Sequence, residues 1–243
     1  MTSGLRLPLA IAIILVGGAA GFLAAYLGRA ARTQGIVDTS PTKPPPEIAN
    51  QASGQDEPAG SVSPTRTIPT NVPDVSLPDG TGVKHTLSEW KGRPLLINFW
   101  ATWCEPCRRE IPLLKKLRQE RTASGLQVVG IAVDARDAVQ QYARQMGIDY
   151  PVLIGEQDGL DAIAAFGMDT VFPFTVFADS QGRIVTLKVG ELHPDEAGLI
   201  LDTISHIDHG RIELAAARKQ LSEALAVLAA QRARGAQNDA EAR

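Results

Sequence analysis

An apolar hexapeptide, Leu95-Leu96-Ile97-Asn98-Phe99-Trp100, runs almost directly into Trp103-Cys104-Glu105-Pro106-Cys107, and a stretch of helical character follows. A continuous apolar run of this length reads as a strand covered on both faces of a sheet. The chain must then leave the sheet in a tight turn and enter a helix at the cysteines. Few architectures satisfy that order of events, and those that do place helices on both faces of an interior sheet.

The rest of the chain from about Asn71 fits the same scheme. Val75 to Pro78 and Val83 to Leu87 flank Asp79-Gly80-Thr81-Gly82 and predict a short hairpin, and Ser88 to Gly92 predicts one helical turn. Ile111, Leu114 and Leu117 predict a helix over Cys107 to Gly125, with a kink at Pro112. Leu126 to Val133 reads as a second buried strand, Asp137 to Met146 as a helix closed by Gly147, Tyr150 to Ile154 as a short strand and Gly159 to Phe166 as a helix closed by Gly167. Phe174 to Ala178 and Ile184 to Val189 flank the turn Asp179-Ser180-Gln181-Gly182, and Pro194 to Ile207 predicts a core-packing helix. Strands alternating with helices, then a hairpin, imply an α/β sheet with helices on both faces.

The flanks differ in character. Leu7 to Leu27 carries no charged residue and is bounded by Arg6 and Arg29. A span needs roughly 20 apolar residues, so residues 7–28 are expected to anchor the chain in a membrane, with residues 1–6 in the cytoplasm. Gly28-Arg29-Ala30 is a poor cleavage site, which favours an uncleaved anchor over a signal peptide. Arg6 before the span and Arg29 and Arg32 after it leave the positive-inside count undecided. The bulk of the chain is placed outside the cytoplasm because the residues before the span are too few to form a domain, and because disulfides persist there. The expected location is therefore the inner (cytoplasmic) membrane, single-pass, with the globular part periplasmic or extracytoplasmic. Residues 29–70, rich in Pro, Ser, Thr, Gln and Gly with Lys43-Pro44-Pro45-Pro46 inside, read as a flexible tether. Residues 71–207 form the globular domain and residues 208–243 a helical tail. Ile207, Leu214, Leu221 and Leu228 recur every seven residues in it. That stripe fits a helix lying on the domain, and also a short coiled coil that pairs two chains into a homodimer.

A net charge of −3 without a basic cluster gives no electrostatic case for nucleic acid. Cys104 and Cys107 are the chain's two cysteines. A cysteine at a helix N-terminus meets unpaired N–H groups and the positive end of the helix dipole, which favour a thiolate. Thiolate is the attacking form in thiol–disulfide exchange, so the placement points to that chemistry, with Cys104 as nucleophile and Cys107 as the resolving thiol. Two other readings remain: an inert structural disulfide, and half of a metal site. A structural zinc site usually needs four ligands, and His85, His193, His206 and His209 are scattered. Arg108 stands where haem attachment needs a histidine. Pro106 suits the first helical turn. Glu105 sets negative charge beside the thiolate, partly offset by Arg108 and Arg109, which is the tuning of a reductant rather than of a strong oxidant. Trp100 is assigned to the core and Trp103 to the rim of the sulfur site.

Asn98 to Cys107 as a whole resembles the active-site stretch of the thioredoxin superfamily, and within it the TlpA/ResA-like membrane-anchored reductases. Lys91-Gly92-Arg93-Pro94 before it, Arg108-Arg109-Glu110-Ile111-Pro112 after it, and Val171-Phe172-Pro173-Phe174 through Gly182 fit the same group, so the resemblance covers roughly Asn71 to Ser205. It implies a thioredoxin-like fold, a central mixed sheet flanked by helices, with a strand–helix element inserted at about Ala138 to Asp169. It implies that Pro173 is cis and that its loop packs against the cysteines. Phe172, bulkier than expected before that proline, alters the partner groove. It implies that Glu110 tunes the dithiol and moves protons, against the plainer reading of a solvated surface glutamate. Asn98 stands where thioredoxin itself carries a buried aspartate. No cofactor or metal is implied. The implied activity is reduction of protein disulfides, such as those of apocytochrome c or a copper-site protein, with electrons from a membrane dithiol donor. The cytochrome-maturation subgroup's Gly-Ala-Pro-Glu is absent, so the substrate is left open. The alternatives are an oxidase or isomerase of the same fold, and a non-catalytic metal or haem-protein chaperone.

Overall fold

The computed structural model describes residues 67–241. The span expected at 7–28 and the tether up to residue 66 lie outside the described residues. Among the described residues, no helix is long and apolar enough to cross a membrane.

Two short strands, β1 (Ser76–Pro78) and β2 (Lys84–Thr86), form the expected antiparallel hairpin, and Leu87–Trp90 adds a 3-10 turn. The main sheet contains β3 (Leu95–Trp100), β4 (Gln127–Ala132), β5 (Val152–Ile154), β6 (Phe174–Ala178) and β7 (Ile184–Val189) in the order β5-β4-β3-β6-β7. β3 pairs parallel with β4 and antiparallel with β6, so the sheet is mixed. The parallel pair needs a crossover, and α1 (Glu105–Glu120) supplies it.

The remaining helices are α2 (Arg136–Met146), α3 (Gln157–Ala165), α4 (Pro194–Asp208) and α5 (Leu214–Glu241). The segment 138–169 carries most of α2, then β5, which forms a sheet edge against β4, then α3. The helix expected over Cys107 to Gly125 starts two residues earlier and divides. α1 runs through Pro112 to Glu120, and a separate 3-10 turn covers Thr122–Ser124. The break has a local cause: Thr122 Oγ1 donates to the Arg118 and Gln119 carbonyls, and Gly125 adopts φ 73°.

Every residue of β3 is buried, because strands flank it on both sides and helices cover both faces. Alternation divides its side chains. Leu95, Ile97 and Phe99 join the core beneath α3 and the β1–β2 hairpin, where Phe99 stacks on Phe174 at 4.2 Å and meets the edge of Phe166 at 5.4 Å. Leu96 faces the core of α1, α4 and α5, and Trp100 packs with α1 and α2. Asn98 shares the parity of Leu96 and Trp100, so this one polar residue of the strand is delivered to the face that α1 covers.

The tail helix α5 lies on the domain: Ala217 and Leu221 are buried against α4 and β7, with Leu214 and Leu225 partly so. Arg218 donates to the Ile184 carbonyl of β7. Of the two arrangements that fit the leucine stripe, this is the intramolecular one.

Gly167 ends α3 at φ 71°, and a Cβ there would lie 2.5 Å from the Thr67 carbonyl oxygen. Left-handed backbone is costly for any residue with a Cβ, and a backbone oxygen cannot rotate away. Gly167→Ala is expected to lower stability by about 1–3 kcal/mol, read from urea unfolding. A loss under about 0.5 kcal/mol would mean that the backbone at 167 leaves the left-handed region and that the 67–68 segment moves aside as well.

Candidate active site

The parallel pairing of β3 and β4 brings their C-terminal ends out side by side, Trp100 opposite Ala132. Asp134, just past β4, accepts from the Thr102 backbone N–H at 3.0 Å and from the Thr102 hydroxyl, while its other oxygen takes the Ala135 N–H at 2.8 Å. The turn between strand and helix is thereby pinned, and the Cys104 N–H closes it onto the Ala101 carbonyl at 3.2 Å. Asp134 belongs to neither motif. Its only signal in the sequence is a carboxylate placed directly after a buried strand, at the end of a parallel sheet where sites gather.

Cys104 is the N-cap of α1, with φ −83° and ψ 104°, and its Sγ accepts from the Cys107 N–H at 3.3 Å. Pro106 lies in the first turn. The two cysteines form a disulfide. Cys104 is 5% exposed and Cys107 0%, so a partner sulfur reaches only the first. The helix end and the Cys107 N–H stabilise negative charge on Cys104 Sγ once the pair is reduced.

β6 runs antiparallel to β3 with Phe174 opposite Phe99, which sets the residues before β6 beside the cysteine turn. The Phe172–Pro173 peptide is cis. The Phe172 ring meets Trp103 edge-on at 5.7 Å, and Trp103 is 67% exposed. With Val171, also exposed, these residues make an apolar rim next to Cys104. Trp100, in contrast, is fully buried.

The charges around the pair are not arranged as their order in the chain implies. Arg109 bridges Glu105 at 3.1 Å and Glu191 at 2.7 Å. Arg108 does not join it; its guanidinium lies over the Tyr142 ring at 5.3 Å. Offsetting of the Glu105 charge therefore falls to Arg109, at the surface, where such a pair contributes little.

Glu110 is not a surface residue: it is 1% exposed. Its position three residues after Cys107 puts both on the inward face of α1. Oε1 accepts from Asn98 Nδ2 at 2.6 Å and Oε2 from the Leu192 N–H at 2.9 Å. Asn98 Nδ2 also donates to Thr175 Oγ1 at 3.1 Å, its opposite number on β6. Burial dominates the carboxyl's ionisation and pushes its pKa up to about 7; the Leu192 and Asn98 donors oppose this, Glu191 adds to it and Lys188 counters it. Burial, and then the charge of Glu110, raise the Tyr150 hydroxyl as well. Asn98 thus cannot exchange a proton itself, yet it holds the group that can.

Among the described residues, no group of three or more His, Cys, Asp and Glu side chains is placed to hold a metal ion. His85 pairs with Glu89 at 2.9 Å and Asp79 at 3.5 Å, away from the sulfurs in the chain and in a different sheet. The residues that sequence reasoning missed, Asp134, Thr175, Glu191 and Leu192, all act across long sequence separations or through a backbone N–H.

Comparison with known proteins agrees with this geometry. The Redoxin family matches residues 69–200. Thiol-disulfide oxidoreductase ResA of Geobacillus thermodenitrificans is 28% identical over 138 residues, 56% of this chain and 78% of its own length. Thioredoxin-like protein YneN of Bacillus subtilis is 35% identical over 134 residues, 54% of this chain and 76% of its own. Among solved structures, a secreted thiol-disulfide isomerase from Corynebacterium glutamicum superposes with a TM-score of 0.50 at 27% identity, covering 53% of this chain and 81% of that one.

Proposed function

Because the chain belongs to the Redoxin family and is a thiol-disulfide oxidoreductase of thioredoxin fold, we propose that it works as a reductant of protein disulfides outside the cytoplasm. The observation that carries the chemistry is the Cys104 sulfur at the N-cap of α1, hydrogen-bonded by the Cys107 N–H at 3.3 Å. In the reduced enzyme the Cys104 thiolate attacks one sulfur of a partner disulfide. The new S–S bond joins Cys104 to the partner, the partner's own S–S bond breaks, and the departing sulfur takes a proton. Cys107 then gives its proton toward Glu110, one turn behind it, and attacks Cys104 Sγ. The mixed disulfide breaks, the partner leaves with its second thiol, and the enzyme holds the Cys104–Cys107 disulfide present in this structure. Two electrons have passed to the partner. A dithiol donor at the membrane returns them by the same exchange in reverse.

The reducing direction rests on charge. A buried carboxyl one turn from Cys107, and Glu105 beside Cys104, both disfavour a thiolate, whereas strong oxidants owe their potential to a stabilised one. The apolar run at 7–28 supports an anchored setting, and disulfides persist outside the cytoplasm, where apocytochrome c or a copper-site protein offers them. The apolar rim of Trp103, Val171 and Phe172 suits an extended, partly unfolded partner, which also fits the isomerase reading. Equilibration with glutathione separates the two. The expected potential lies on the reducing side of about −200 mV, with insulin disulfides reduced; a value near −120 mV overturns the direction.

A further inference from the structure

We propose that Arg232, far along the tail helix α5, is a positioning residue for the dithiol site: it clamps the start of α4 and so fixes the Leu192 N–H that holds the Glu110 carboxyl. The inference rests on the oxidoreductase reading, and it concerns a helix that lies beyond the residues matched by the family.

The segment Gly190–His193, between β7 and α4, touches the site at its first three residues and joins α4 at the fourth. The Gly190 N–H donates to the carbonyl of Pro173 at 2.8 Å. The Glu191 carboxylate holds Arg109 of α1. The Leu192 N–H donates to Glu110 Oε2 at 2.9 Å. His193 is the N-cap of α4, and its N–H donates to Glu196 Oε2 at 3.3 Å. Proline loop, active-site helix and buried acid therefore share one short support.

The support is closed from outside by two cations. Glu196 is 2% exposed, and its Oε1 receives Lys188 Nζ from β7 at 3.0 Å and the Arg232 guanidinium from α5. Arg232 also donates to both oxygens of Asp195 at 2.8 and 3.0 Å. A buried carboxylate keeps its place only while its charge is matched. A guanidinium that forks across two carboxylates fixes their relative position as an ammonium does not. Lys188 is the remaining cation on Glu196, and it is also the cation whose field steadies the ionised form of Glu110.

Removal of Arg232 acts on Glu110 in one direction. The α4 start loosens, so the Leu192 N–H bond to the carboxylate weakens. Lys188 is drawn to an under-compensated Glu196. The other groups facing Glu110 do not compensate: Glu191 and the Tyr150 hydroxyl offer it no positive charge, Arg109 is turned to Glu105 and Glu191, and Asn98 and Thr175 are neutral. The carboxyl moves further toward its protonated form.

The test is a carboxyl 13C titration of Glu110 in the oxidised, detergent-solubilised full chain, a readout that does not need exchange activity. Arg232→Gln is expected to raise the Glu110 midpoint by about 0.5 or more, and to move the pH inflection of disulfide exchange with it. Arg232→Lys, which keeps the charge but not the fork, gives a smaller rise in the same direction and decides the matter if the Gln variant does not fold. An unmoved midpoint in a folded variant overturns the proposal. So does an equal change in the exchange profile when Glu110 is already Gln, because Arg232 would then act elsewhere. A parent protein that titrates as described but performs no exchange refutes the oxidoreductase reading instead, and leaves the coupling to be judged on the titration.

Discussion

Cys104→Ser abolishes disulfide exchange, while Cys107→Ser stops turnover and traps the partner. The asymmetry follows from the geometry around the helix end. Cys104 is the sulfur with surface exposure and the one that caps α1, where the Cys107 N–H and the helix dipole favour its anion. A serine hydroxyl there stays protonated and gives no sulfur to bond. Cys107 has no exposure, so it cannot replace Cys104 against an incoming protein. In the Cys107→Ser chain the first attack proceeds, but nothing on the inner face of α1 attacks Cys104 in turn, so the mixed disulfide accumulates. Both variants lose the intramolecular disulfide, and comparing them with each other removes that common effect. Insulin reduction and non-reducing gels of chains recovered from cells read the outcome. Turnover by the Cys104→Ser chain would sink the assignment, and identification of the trapped partners names the substrate.

The second large effect is expected at Glu110, where Gln removes this group's share of the pH dependence of stability and the neutral inflection of resolution. In the folded chain the carboxyl holds its proton up to about pH 7, against an ordinary value of 4.5. Between those limits the native state binds a proton that the unfolded chain has released. Stability is therefore full below about pH 4.5 and falls as pH rises to about 7, by on the order of 3 kcal/mol if this group acts alone. In oxidised Glu110→Gln, where the cysteines do not titrate, the slope of unfolding free energy between pH 5 and 7 should flatten relative to the parent. In reduced enzyme, the inflection near pH 7 in the resolving step should vanish, since the amide cannot take the Cys107 proton. Retention of the parent's slope and of its inflection would return Glu110 to a purely structural role.

How much of this could be read along the chain depends on how local each cause is. β3, β6 and β7 have the bounds that the sequence predicts: β3 and β6 are buried throughout, and a strand covered on both faces needs little more than hydrophobic continuity, while β7, at the sheet edge, is delimited by the turn at Asp179–Gly182. The ends of α2 and α3 were legible from Gly147 and Gly167, both at positive φ. The start of α1 was legible in part: the cysteine motif sets Cys104 at the helix N-terminus and Pro106 in the first turn, as found, while the range read from the apolar spacing began two residues late. Periodicity at Ile111, Leu114 and Leu117 places a helix, but the first turn is set by the Cys104 cap and by the Asp134 grip on Thr102, a contact from another strand's end. Arg108 and Arg109 are neighbours that read as one pair of charges. The fold separates them, one onto Tyr142 and the other onto Glu191.

The identity of the reacting atoms, then, was written in the order of residues: two sulfurs at a strand-to-helix junction, a proline loop later in the chain, and a preference for thiolate that a helix end imposes locally. The ionisation of Glu110 was not, nor was the use of the tail. A carboxyl three residues past Cys107 is a solvated charge or a buried acid according to what covers it. Here β3 supplies Asn98, the β7–α4 segment supplies the Leu192 N–H, and α5 holds that segment in place. Desolvation is a sum over every element packed around a group, and no stretch of sequence contains that sum.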